Sequence, residues 1–365
     1  MEQPALRITD FTETLDAATS SRRARDLRAA RYSPAAAQGS VDAATMLRFE
    51  RALAETVTTL MQRFQSPVSE HVLWHFGIGC EEAALRGKRL RPRLLLQVAF
   101  DEGGTYESAL DGALSIELLH NYSLVHDDIE DGDEVRRGRQ TVWSRYGLPN
   151  GVNAGDAICA VTYLTLLRNS GGAPLDRVMS TARILQGANL AMCAGQGYDL
   201  GFESARNVTL EAYLAMIEGK TAVLFGAACE LGALSAGSDP VRAGAFARVG
   251  RAYGRAFQIR DDIAGIASDI ARRKWTFPIV WALAGPPSAA RSAIAGRYAR
   301  FEMLERADIE LVAEALDELG ARRAAERACA EHFREAARIA QRHRLDRAGN
   351  VRAMFAPAQN SKAIA

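Results

Sequence analysis

The chain is expected to fold as an all-α, single-domain helical bundle, and three observations lead there. From about Val41 onward Ala, Leu, Arg and Glu dominate, apolar positions recur at helical spacing, and β-branched alternation over strand length is nearly absent. Turn signals at Gly103–Gly104, Gly147–Asn150, Gly171–Pro174, Gly237–Pro240 and Gly285–Pro287 divide the chain. The segments between them imply helices of roughly 15–25 residues, the length used in bundles. No repeat of solenoid period is present. Residues 1–40, with a basic patch at Arg22, Arg23, Arg25 and Arg28 and little apolar periodicity, read as a disordered arm. Residues 41–350 read as the helical domain and 351–365 as a frayed tail.

Composition narrows the function classes. Apolar residues make up 48% of 365, enough for a large core without disulfides. A net charge of +1 argues against a nucleic-acid partner, so anions must be held by local basic clusters. The five cysteines, Cys80, Cys159, Cys193, Cys229 and Cys329, show no metal-ligand spacing and read as reduced thiols. No apolar run is long and clean enough to span a bilayer, and the N-terminus lacks a secretory pattern. A cytoplasmic protein is therefore expected. Of the 45 basic residues only four are lysines, at 88, 220, 274 and 362. Lysine is a compact point charge and arginine a planar fork. A lysine that survives in so arginine-rich a chain marks a position where the point charge matters.

Ala113–Gly132, ALSIELLHNYSLVHDDIEDG, reads as a core helix ending in Asp127, Asp128, Glu130 and Asp131 before a glycine at the C′ position. Carboxylates repel one another there and oppose the negative end of the helix dipole. A divalent cation resolves the conflict, and Asp127 and Asp131, at i and i+4, share a face that suits Mg²⁺. Mg²⁺ usually completes its shell with phosphate oxygens, which points to a phosphorylated substrate. Arg136 and Arg137 follow at once and suit further phosphate oxygens. A second pair, Asp261–Asp262, sits in the apolar stretch AFQIRDDIAGIA, where Arg260 offers an ion pair as the alternative to a metal. The three internal lysines fall in GKRLRP (87–92), EGKTA (218–222) and RRKW (272–275). GKT here lacks the glycine run of a P-loop.

In order and spacing, GKRLRP, ELLHNYSLVH, DDIED, RRG, GQGYD, EGKTA and FQIRDD resemble the trans-polyprenyl diphosphate synthases over roughly residues 70–285. The resemblance implies an all-α isoprenoid-synthase fold around a deep central cavity, in a homodimer. It implies head-to-tail condensation of isopentenyl diphosphate with an allylic diphosphate, with three Mg²⁺ ions. Asp127, Asp128, Asp131, Asp261 and Asp262 correspond to the metal ligands. Arg136, Lys220 and Lys274 correspond to the grip on allylic diphosphate, and Lys88, Arg91, His120 and Arg137 to that on isopentenyl diphosphate. Thr221, Phe257 and Gln258 correspond to residues beside the reacting carbons, Lys220 joins them as a catalytic residue, and Gln196 and Asp199 correspond to a motif near the second metal site. Tyr122, five residues before Asp127, with small Ser123 beside it, corresponds to the floor that limits chain length. The implied product is geranylgeranyl diphosphate, with farnesyl diphosphate second; the bland reading of Tyr122 is a packed core aromatic.

Two departures stand out. Gly265 replaces the last aspartate of the second motif, with Asp269 nearby, and only Ile263–Arg273 separates Asp262 from Lys274 where the family has a longer, lysine-bearing loop. Two rivals follow: a weakly active partner subunit of a synthase, and a class I terpene cyclase.

Overall fold

The computed structural model describes residues 40–64, 66–79, 87–300 and 304–345. The expected tail and all but the last residue of the expected arm lie outside them. In chain order the helices are α1 (Ala43–Met61), α2 (Pro67–Phe76), α3 (Leu90–Asp101), α4 (Tyr106–Glu130), α5 (Val142–Tyr146), α6 (Leu148–Leu167), α7 (Leu175–Glu203), α8 (Leu210–Ile217), α9 (Val223–Ser235) and α10 (Pro240–Ala264). They continue as α11 (Ile266–Ala271), α12 (Phe277–Leu283), α13 (Ala289–Tyr298), α14 (Arg306–Leu319) and α15 (Ala321–Arg342). The all-α expectation holds. The addition is a ribbon of two strands, β1 (Val135–Arg136) and β2 (Arg139–Gln140), antiparallel with Val135 opposite Gln140. Two residues per strand are too few to register as alternation.

Local chemistry sets the ends of the site-bearing helices. Thr105 and Ser108 form a reciprocal capping box at the start of α4. Asp239 accepts from the amides of Val241 and Arg242, and Pro240 follows in the first turn, so α10 begins sharply. The turn expected over 147–150 is narrower: Gly147, at φ +89°, alone separates α5 from α6. The other four glycine-marked breaks separate helices as expected, the one at Gly237–Pro240 ending on the first residue of α10.

α9 lies at the centre, packed on α10 and α3, with Phe225, Ala228, Cys229 and Ala233 at 0% exposure. Gly250 permits that closeness, since a Cβ there would stand 2.4 Å from the Phe225 carbonyl oxygen. Two buried apolar clusters flank α9, one gathering α8, α10 and the C-terminal helices, the other α1, α3, α4, α6 and α7. Each fully buried leucine, such as Leu95, Leu118 or Leu119, contributes roughly 1.5–3 kcal/mol. Among the described residues, Leu210–Ser235 alone is long and apolar enough to cross a membrane, and most of it is buried in this core. It comprises two helices joined by a π-helical turn, Glu218–Ala222.

Candidate active site

The first wall of the site is the C-terminal end of α4. Asp128 is buried and accepts from Arg136 Nε at 2.5 Å, so the ribbon closes back on the helix that precedes it. Asp131 pairs with Lys274 Nζ at 3.2 Å. Asp127 has no hydrogen-bond donor among the described side chains. Burial pushes its pKa up to about 6 against the pull of Lys220, and the carboxylates of Asp131 and Glu130 add to the rise.

The opposite wall is the C-terminal end of α10, and here the expected pair divides. Asp261 is the solvent-accessible member, yet the protein packed around it partly desolvates its carboxyl, which outweighs the pull of Arg260 and raises its pKa. Asp262 points the other way. One oxygen accepts from the Tyr213 hydroxyl at 2.6 Å and the Phe277 amide at 2.8 Å, and the other from Gln258 Nε2 at 3.0 Å. The Arg260 guanidinium lies 5.3 Å from the Phe257 ring centroid and forms no ion pair with Asp262. Gly265 ends α10, and a Cβ there would come within 2.9 Å of Asp269 Oδ2.

The third side is built by a close crossing. A Cβ on Gly195 of α7 would stand 2.1 Å from the Lys220 amide nitrogen, and one on Gly219 would stand 2.9 Å from Gly195 Cα. Two glycines therefore let α7 touch the π-helical turn, and they explain why GQGYD and EGKTA both carry them. The crossing sets Lys220 Nζ 2.6 Å from Asp199 Oδ2. Burial works against the charge of Lys220, yet Asp199 and Asp127 more than compensate and raise its pKa. Thr221 Oγ1 donates to Gln258 Oε1 at 2.8 Å, and Gln196 Nε2 donates to Glu130 at 2.8 Å. Phe257 packs on Phe225, centroids 5.2 Å apart.

A basic pocket completes the ring. Arg91 lies 3.1 Å from His120 Nε2 and 4.5 Å from the Phe225 ring centroid. Burial lowers the Arg91 pKa to about 10, against the charges of Glu117, Asp261 and Asp127. The two acidic walls thus act on one guanidinium. His120, desolvated and beside Arg91 and Arg137, is held well below its usual value and is neutral. Arg137 lies against Gly87, where a Cβ would come within 2.7 Å of its Nη2. Lys88 is exposed, within electrostatic reach of Asp261. Motifs spread from residue 87 to 274 therefore meet around one space.

The polyprenyl synthetase family model matches residues 80–310. The chain belongs to the polyprenyl synthetase family. Among its relatives, the (2E,6E)-farnesyl diphosphate synthase of Mycobacterium tuberculosis is 39% identical over 235 residues, 61% of this chain and 64% of that protein. The chain thus spans under two thirds of that relative. The geranylgeranyl diphosphate synthase of the same organism is 34% identical over 298 residues, 78% of this chain and 83% of that one. The crystal structure of a polyprenyl synthetase from Streptomyces coelicolor A3(2) superposes with TM-score 0.76 at 29% identity, covering 86% and 97% of the two chains.

Within this polyprenyl synthetase fold, Tyr122 is half-buried one turn before the carboxylates. Its ring meets His126 edge-on at 4.9 Å, and its hydroxyl lies 3.9 Å from Cys193 Sγ on α7. Ser123 turns its hydroxyl back to the His120 carbonyl at 2.9 Å. Several residues that shape the site were not singled out from the sequence. Tyr213 holds Asp262 from a helix with no motif of its own. Arg255 holds Glu218, at the start of the π-helical turn, at 2.6 Å. Glu117 and Arg89 lie inside quoted motifs, and the signal available for Glu117 was a lone acid in an apolar run. Among the described residues no three carboxylate, histidine or cysteine side chains gather tightly enough to hold a metal unaided.

Proposed function

We propose that this protein is a Mg²⁺-dependent trans-prenyltransferase that adds isopentenyl diphosphate to an allylic diphosphate. The carrying observation is the convergence of Asp127, Asp131 and Asp261 with Lys88, Arg91, Lys220 and Lys274 around one space in a polyprenyl synthetase chain. Bound Mg²⁺ supplies Lewis-acid charge that draws electrons toward the departing diphosphate. Asp127, Asp131 and Asp261 are its proposed holders. Asp128 orients Arg136, and Asp262 anchors the wall beneath Asp261.

Arg136, Lys220 and Lys274 grip the allylic diphosphate. Each is paired with a carboxylate in this structure, so substrate exchanges one anion for another at preset cations. Arg91, Arg137, Lys88 and neutral His120 hold isopentenyl diphosphate. The chain Tyr213–Asp262–Gln258–Thr221 fixes the Gln258 amide with its carbonyl toward Thr221. That oxygen offers a dipole to a carbocation without a basic nitrogen to trap it. Phe225 and Phe257 keep the neighbourhood apolar, which excludes water from the cation. The allylic C–O bond breaks, the isopentenyl double bond attacks, and a proton leaves to the released diphosphate.

Relatives named for both farnesyl and geranylgeranyl products accord with a short chain. Tyr122 favours geranylgeranyl diphosphate, with farnesyl diphosphate second. Exposed Val152 on α6 and Met179 and Leu190 on α7 favour a homodimer, which we place in the cytoplasm. The short connection before Lys274 favours, as a second reading, a weakly active partner subunit. The deciding experiment incubates the purified protein with Mg²⁺, isopentenyl diphosphate and each allylic diphosphate, then sizes the products. A single C20 product is expected. Absence of isopentenyl incorporation with every primer would overturn the proposal.

A further inference from the structure

We infer that Arg89 is a positioning residue for the isopentenyl diphosphate pocket, and that α1, which lies wholly before the family match, belongs to the active-site apparatus through Glu50. The inference rests on the pocket assignment proposed above.

Arg89 stands between Lys88 and Arg91 but faces away from the site. Its side chain is 7% exposed and is held at both ends of the guanidinium fork. Nε and Nη2 donate to the two oxygens of Glu50 on α1, at 2.8 and 3.3 Å. Nη1 donates to Glu117 Oε1 on α4, at 2.5 Å. Glu117 is itself 2% exposed and lies three residues before His120. The same Glu117 oxygen accepts from Asn121 Nδ2 at 2.9 Å, so the Asn121 carbonyl is free to accept from His75 Nε2 at 3.0 Å. One buried network thus joins α1, α2, the start of α3 and the middle of α4 behind the pocket.

The backbone shows what the network holds in place. Arg89 caps α3 with φ +49° and ψ +39°, a left-handed conformation that a non-glycine residue adopts only when its surroundings impose it. This turn aims Lys88 outward and starts the helix whose first turn carries Arg91. A planar, five-donor group can satisfy two carboxylates from different helices at once; an ammonium cannot do so in the same geometry. Glu117 also fixes α4 one turn from His120. Both halves of the pocket therefore take their relative position from one guanidinium.

The role separates from catalysis and from simple stability by a split in kinetics. Arg89→Lys keeps the charge and loses the fork. Its KM for isopentenyl diphosphate should rise about tenfold, while kcat and the KM for the allylic diphosphate stay within roughly twofold. Glu50→Gln, a milder change on α1 that leaves the fold's buried charge closer to balance, should raise the same KM alone by about three- to fivefold. Isopentenyl diphosphate titrated calorimetrically into the full chain with Mg²⁺ should show the same losses. Equal shifts in both KM values, or a lower melting temperature with neither KM changed, would overturn the positioning role. Lys88→Ala distinguishes the two layers. If it raises the isopentenyl KM while both network variants leave it unchanged, the positioning inference alone falls; if it too has no effect, the pocket assignment falls.

Discussion

Asp261 meets open space at the end of α10, whereas Asp262, one residue later, is enclosed by a tyrosine hydroxyl, a glutamine amide and a backbone amide. A pair of adjacent aspartates looks uniform in a sequence, but the 100° step between helical neighbours sends them to different surroundings. Asp261→Asn should cut the Mg²⁺-dependent rate by a hundredfold or so with little change in melting temperature. Asp262→Asn should instead destabilise by about 1–3 kcal/mol, because buried donors lose a charged acceptor. Thermal melts beside Mg²⁺ titrations of the rate test the division, which fails if the two variants behave alike. Tyr122 carries a second test at this scale. Tyr122→Ala should lengthen the product beyond C20, read by product sizing; an unchanged length removes Tyr122 as the floor and leaves it a core aromatic.

The crossing of α7 with the π-helical turn depends on the absence of side chains at two positions. Gly195→Ala would drive a methyl group to 2.1 Å from the Lys220 amide and 2.8 Å from its Cα. The turn must then shift, and the Lys220–Asp199 pair and the Thr221–Gln258 bond shift with it. We expect a loss of about 1–3 kcal/mol in stability and a fall in kcat of at least tenfold. Gly197, two residues on, meets nothing within 4 Å, so Gly197→Ala should be neutral or stabilise the helix by up to about 1 kcal/mol. Melting temperature and kcat of the two variants, side by side, make the test, and similar behaviour would refute the steric argument. The sequence displayed both glycines inside one motif without distinguishing the one that touches from the one that does not. Helix existence was legible from periodicity, and helix ends from Gly, Pro and capping residues. The ribbon and the π-helical turn were not, being too short or too dependent on the crossing to leave a periodic trace.

At the scale of the molecule, packing converts buried polar groups into pH dependence. His75 is desolvated beside Arg137, Arg136 and Arg89 and held down at about 3, although its bond to Asn121 opposes the shift; His120 is lowered as well. The unfolded chain protonates these rings near 6.5, so below that pH it binds more protons than the folded chain. Stability should therefore be full above about 6.5 and fall as the pH drops toward 3. Urea midpoints measured from pH 7 to pH 5 should fall accordingly, and His75→Gln, which keeps a donor for Asn121, should flatten the slope; an unaltered slope would show that His75 does not contribute. What the sequence alone determined was the all-helical class, the family resemblance and the small set of lysines worth following, because periodicity and motif order are written residue by residue along the chain. Only the packed fold separates the exposed Asp261 from the enclosed Asp262, shows which glycine permits the crossing, and sets Glu50 beside Arg89 and Tyr213 beside Asp262. Those depend on distances between helices far apart in the chain, and such distances follow from how the whole set of buried faces packs together.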